Sequence, residues 1–143
     1  MSEWKYADSW REEDITNGSY AGFVYLFQFE DGTNYIGSKQ IYKRVKTFKK
    51  IKSTSIENEW RQYSSSSKIV NQKIADGEQY TKTMLWCFSD MKETLLIETI
   101  LILSEGLKVH NLNLAVMHKA RLPGAKDKKR LFGIVQEILS WLN

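Results

Sequence analysis

The stretch at residues 22–39, GFVYLFQFEDGTNYIGSK, decides the fold. Residues 23–29 form an apolar run rich in aromatic and β-branched side chains, Glu30-Asp31-Gly32 is turn chemistry, and residues 33–38 return, so the pattern predicts a β-hairpin. The loop length sets the faces. A two-residue Asp31-Gly32 turn would put Tyr25 and Tyr35 on opposite sides of the ribbon. A three-residue loop with Gly32 in the left-handed region pairs Phe27 with Tyr35 and Tyr25 with Gly37. The second register is adopted here. It gathers Tyr25, Tyr35 and Lys39 on one face, beside a glycine, Gly37, that leaves room for a ligand.

At 143 residues the chain is expected to form one domain with a real core. No apolar run approaches the ~20 residues of a membrane span, and the first residues, Met1-Ser2-Glu3-Trp4-Lys5, do not open like a signal peptide. A single cysteine, Cys87, excludes an internal disulfide and a CxxC zinc site, and the histidines, His110 and His118, are too few for a His-rich metal centre. A cytoplasmic protein is the default expectation. The net charge of +4 is modest, but its distribution is uneven. Lys39, Lys43, Arg44, Lys46, Lys49, Lys50 and Lys52 fall in one acid-free stretch, and Lys119, Arg121, Lys126, Lys128, Lys129 and Arg130 are offset only by Asp127. Two such clusters point to a polyanion partner or to two solvated faces.

Taken in order, residues 1–21 read as an arm whose Trp4 and Trp10 pack on the core. Residues 40–52, QIYKRVKTFKKIK, show a helical period that turns Ile41, Val45 and Phe48 to the sheet and leaves Arg44 beside that seam, a position suited to a snorkelling arginine. Four serines can cap a helix over 68–76 that Gly77 stops, and 80–88, YTKTMLWCF, reads as a central strand with Cys87 as a buried thiol. Asp90 and Glu93 have capping-box spacing ahead of TLLIETILIL at 94–103. A helix apolar on nearly every side is buried, so Glu98 in its middle must be paired, protonated or bound to a cation. A salt bridge to Arg44 and a divalent-metal site are the two candidates. Gly106 ends that helix, residues 117–127 form a hinge around Pro123-Gly124, and a last amphipathic helix starts at Asp127 or Lys128 and uses Leu131, Ile134, Val135, Ile138, Leu139 and Leu142 to pack on the core.

Phe23-Val24-Tyr25 followed about ten residues later by Tyr35-Ile36-Gly37 resembles the paired triplets of the GIY-YIG nucleases, a family of homing endonucleases, a few restriction enzymes and repair nucleases. Trp60, Arg61, Tyr63, Ser65 and Ser66 also resemble a segment of its phage members, although this region lacks the histidine the family often carries. The resemblance implies an α/β domain over 22–116, with a small, mostly antiparallel three-stranded sheet flanked by helices. It implies catalytic roles for Tyr25, Tyr35, Arg44, Glu98 and Asn111, with Asn113 as the alternative asparagine and Lys43 able to share the role of Arg44. Glu98 would ligate one Mg²⁺ or Mn²⁺, a tyrosine would orient or deprotonate the attacking water, and Lys39 could lower the pKa of Tyr25. Lys39, Lys43, Lys46, Lys49 and Lys50 would contact DNA. The expected partner is DNA, with a protein partner as a possible source of specificity and a monomer or weak homodimer as the assembly. The rival is a non-catalytic nucleic-acid-binding module on the same fold.

Overall fold

The computed structural model describes residues 3–115 and 122–143. The hairpin forms in the expected register. Strand β2 (Gly22–Phe29) pairs antiparallel with β3 (Asn34–Gln40), setting Phe27 opposite Tyr35 and Tyr25 opposite Gly37. Gly32 at φ +87° closes the loop by donating to the Phe29 carbonyl at 3.0 Å. Asp31 stiffens it by accepting from the Thr33 amide and hydroxyl, and Lys73 beside it holds the Asp31 carboxyl well below the usual carboxylate range.

The sheet departs from expectation in size and sense. It has four strands in the order β1-β4-β2-β3, and β1 (Trp4–Tyr6) runs parallel to β4 (Tyr80–Phe88). It is therefore a mixed sheet, not a three-stranded, mostly antiparallel one. Three residues are too few to show a two-residue period, and a parallel partner far along the chain leaves no local turn signal. After a four-residue helix α1 (Glu12–Ile15) the chain enters β2, which lies between β4 and β3 and is buried on both faces, as its unbroken apolar run requires.

On one face Trp4, Phe23, Tyr25, Phe27, Trp60 and Val70 form an aromatic core. On the other, Val24, Leu26, Ile36 and Leu85 pack under helix α3 (Met91–Glu105), which is covered in turn by α4 (Ala125–Leu142) through Leu131, Val135 and Ile138. Burial between two layers explains why α3 is apolar almost all round, each enclosed aliphatic side chain contributing about 1.5–3 kcal/mol. Asp90 caps α3 by accepting from the Glu93 amide at 2.8 Å, and Ser67 likewise caps helix α2 (Lys68–Ala75). The last helix begins at Ala125 rather than at Asp127 or Lys128. The hinge expected at 117–127 lies partly outside the described residues, as do Lys119 and Arg121 of the second basic cluster.

The helix expected over 40–52 does not form. A single 3₁₀ turn, Phe48–Lys50, is the only regular element there. Like charges four apart, Lys39 with Lys43 and Lys46 with Lys50, repel along a helix, and the backbone finds other partners. Lys43 donates to the Ile56 carbonyl, Asn58 to that of Ile41, Phe48 to that of Ser89 and Met91 to that of Lys46, at 2.7–2.9 Å. Ile41 and Val45 are buried as anticipated, whereas Phe48 is exposed. The result is a pinned cationic loop leading from the end of β3 to the start of α3.

Candidate active site

Alternation along a strand puts Tyr25 and Tyr35 on the aromatic face, and Gly37 decides how closely they sit. Tyr25 lies flat against Gly37, so near that a Cβ there would fall 2.3 Å from the phenol oxygen. The Tyr25 and Tyr35 rings are 6.5 Å apart, and a third tyrosine, Tyr63, closes on Tyr25 at 5.9 Å. Burial, reinforced by the neighbouring Tyr63, pushes the Tyr25 phenol well above its ordinary value against a hydrogen bond to Ser65. Tyr35 is also raised, first by burial, with Glu98 adding its charge and Ser65 again opposing. Ser65 therefore serves both phenols, and it does so from a backbone φ of +94°.

Lys39 shares this face as the register requires, but it does not lower the Tyr25 pKa as anticipated. Its Nζ sits 4.4 Å over the Tyr63 ring, and desolvation by burial, opposed by the charge of Glu59, lowers the ammonium's own pKa. Both tyrosine hydroxyls are consequently protonated at neutral pH, built to donate hydrogen bonds rather than to remove a proton.

Glu98 is 6 % exposed in the middle of α3, which settles that it does not face bulk water. Ser38, on the edge strand, donates from its hydroxyl to Glu98 Oε1 at 3.1 Å. Ser38 points to the opposite side of β3 from Tyr35 and Lys39, so the carboxylate and the phenols flank the same short piece of edge strand. The carboxylate oxygens of Glu98 are hard donors that suit Mg²⁺ or Mn²⁺ better than a softer ion. Among the described residues there is no group of three His, Cys, Asp or Glu side chains able to enclose a metal. A cation here would take one carboxylate and complete its shell with substrate and solvent oxygens, as Mg²⁺ commonly does.

Arg44 is not drawn into this cluster. It is exposed on the loop at φ +64° and, among the described residues, makes no ion pair with Glu98. Lys43, Lys46, Lys49 and Lys50 are exposed beside it. Asn111 and Asn113 are turned to the sheet. Asn111 donates from Nδ2 to Asn34 Oδ1 at 3.0 Å and accepts from the Asn113 amide. The Asn113 carboxamide accepts from the Ile36 amide at 2.9 Å and donates to the Ile36 carbonyl at 2.8 Å. The two asparagines thus lock 110–113 along the strand that bears Tyr35.

Tyr63 and Ser65 are the site residues that sequence reasoning did not single out. Only their place in the Trp60-to-Ser66 segment hinted at them. They belong to a strap whose backbone is held from beneath. The Trp4 indole donates to the Trp60 carbonyl at 2.8 Å, Lys82 Nζ donates to the carbonyls of Arg61 and Tyr63 at 3.0 Å each, and Asn71 donates to that of Ser65 at 2.9 Å.

Residues 4–113 match a family model described as "Putative endonuclease segE, GIY-YIG domain". No curated protein and no solved structure matches the chain. The match runs from β1 past α3 and spans both tyrosines, Arg44, Glu98 and the asparagine pair. With the paired triplets on adjacent strands and the buried Glu98 on the helix behind them, the chain belongs to the GIY-YIG endonuclease family.

Proposed function

We propose that the protein is a divalent-metal-dependent DNA endonuclease that hydrolyses phosphodiester bonds with little sequence discrimination. The observation that carries this is the buried Glu98, held by Ser38 and lying within electrostatic range of Tyr35, in a chain of a nuclease family. Glu98 would hold Mg²⁺ or Mn²⁺, which when bound supplies polarisation of the scissile phosphate and stabilises the leaving 3′ oxygen. Tyr35 and Tyr25, protonated, donate hydrogen bonds that orient the attacking water and a phosphoryl oxygen. Arg44 neutralises charge developing on the phosphoryl oxygens, reached when DNA lies along its loop. Asn111 and Asn113 act on the site through the strand they hold.

Lys43, Lys46, Lys49 and Lys50, with Lys39 at the edge of the cluster, contact phosphates, which confer affinity and salt sensitivity without reading bases. Specificity, where it exists, comes from a protein partner. The enzyme acts as a monomer or a weak homodimer in the cytoplasm. One carboxylate site cuts one strand per engagement, so nicking is the expected primary product.

Supercoiled plasmid incubated with Mg²⁺, Mn²⁺ or a chelator tests this. Conversion to open circle with metal only is the expected result. A salt-sensitive gel shift without nicking would select a non-catalytic binding module, and neither would sink both readings.

A further inference from the structure

The residue with the least conventional surroundings outside the tyrosine cluster is Lys82. It is 0 % exposed in the middle of β4, which makes it the one wholly buried cation among the described residues. Lysines are almost never buried unless something holds the ammonium. Among the described residues no carboxylate does so. Its neighbours are the Phe27 backbone across β2, the Trp4 ring from β1 at 4.6 Å, and the carbonyls of Arg61 and Tyr63 from the strap. Desolvation alone brings the ammonium down to about 8. A plain strand position would be filled by an aliphatic side chain at lower cost. What an aliphatic residue cannot do is hold two carbonyls, those of Arg61 and Tyr63, in a loop that has no strand partner of its own.

We infer that Lys82 is a positioning residue for catalysis, setting the strap so that Tyr63 and Ser65 meet Tyr25 and Tyr35 over Gly37. The geometry supports each link. The Tyr63 carbonyl is anchored below, so its ring is presented above, against Tyr25 and beneath Lys39. Ser65 follows two residues later in the left-handed region, a conformation that a serine adopts only when its flanks are fixed. Its hydroxyl opposes the effect of burial on both site phenols, drawing their pKa values down. Trp4 supports the same strap one carbonyl earlier, so β1 and β4 together form the platform on which half of the site rests. This role rests on the nuclease reading for its chemistry but not for its geometry.

The test is Lys82→Met, which keeps an unbranched side chain one atom shorter and removes every donor. It is compared with Ile138→Ala, a core truncation in α4 on the other face of the sheet, at temperatures matched for distance below each melting point. A fluorotyrosine placed at position 63 reports the strap by ¹⁹F NMR. Lys82→Met is expected to shift and broaden the Tyr63 signal. It should also lower kcat for plasmid nicking by about 10–100-fold, the penalty of a displacement near 1 Å at a reacting centre. KM for DNA should stay within about twofold, because the basic loop that binds phosphates is untouched. Ile138→Ala should leave both the signal and kcat unchanged. A Tyr63 signal in Lys82→Met that matches the parent, or a kcat loss no larger than that of Ile138→Ala, overturns the assignment. If the parent protein fails to nick DNA, the nuclease reading falls, and the fluorine signal still decides whether Lys82 sets the strap.

Discussion

Adding one methyl group at Gly37 is the most economical way to challenge the site. A Cβ there would sit 2.3 Å from the Tyr25 hydroxyl oxygen and 2.4 Å from its Cζ, more than 1 Å inside the ~3.5 Å of ordinary contact. Tyr25 has nowhere to go. It is 1 % exposed and hemmed in by Phe27 at 5.1 Å, Trp4 at 5.7 Å and Tyr63 at 5.9 Å. Overpacking of this kind costs about 1–3 kcal/mol, and a chain of this length loses about 4 °C of melting temperature per kcal/mol. Gly37→Ala should therefore melt roughly 4–12 °C lower, read by circular dichroism. It should nick plasmid on the order of 100-fold more slowly, because the phenol is displaced by about 1 Å. Adding Tyr25→Phe removes the nearest clashing atom but leaves Cζ in place, so stability should recover only in part while activity stays low. A Gly37→Ala protein with the parent's melting temperature and nicking rate would refute the close approach of phenol and strand.

Glu98→Gln keeps the shape and the Ser38 contact but removes the charge; metal-dependent nicking should vanish while gel-shift affinity and the far-UV spectrum remain those of the parent. Arg44 occupies the left-handed region, where a non-glycine residue costs about 1–2 kcal/mol. Arg44→Gly should thus raise the unfolding free energy by up to about 1 kcal/mol after the entropy of glycine is counted, read as a higher urea midpoint, yet lower nicking as much as Arg44→Ala does; a destabilised Arg44→Gly would contradict the backbone geometry. Replacing Lys46, Lys49 and Lys50 together by alanine should flatten the slope of log Kd against log salt by about 2.7, if each contacts one phosphate of duplex DNA. Both site phenols are raised above 10, so they stay protonated at every pH below that value. The activity deficit of Tyr25→Phe should therefore be the same at pH 7 and pH 9; a deficit that grows as pH rises toward 9 would show a tyrosine acting as a base.

Local chemistry was legible and long-range pairing was not. The hairpin register followed from the permitted turn at Glu30-Asp31-Gly32, and the caps of α2 and α3 followed from Ser67 and Asp90, because each depends on neighbours a few residues away. The burial of Glu98 followed from the apolar surround of TLLIETILIL. The stretch at 40–52 misled because an apolar residue every three or four positions also describes a loop that sends Ile41 and Val45 into one core and leaves Phe48 exposed. Charge repulsion and partners at 56–58 and 89–91 outweighed the period. Strand β1 was hidden because its partner lies nearly eighty residues away. Tyr63 and Ser65 were invisible as site residues for a similar reason: what places them is a lysine buried in a strand, and no spacing rule connects position 82 to position 63.

The carboxamide of Asn113 has a further consequence. By taking both the amide and the carbonyl of Ile36, it stops the outer border of the sheet from recruiting a foreign strand beside the tyrosines, and the opposite border offers only the three residues of β1. Association by shared sheet is thus blocked at Ile36 and has little length to use along β1. A second copy, or an auxiliary protein, that met the sheet at Ile36 would have to do so through side chains.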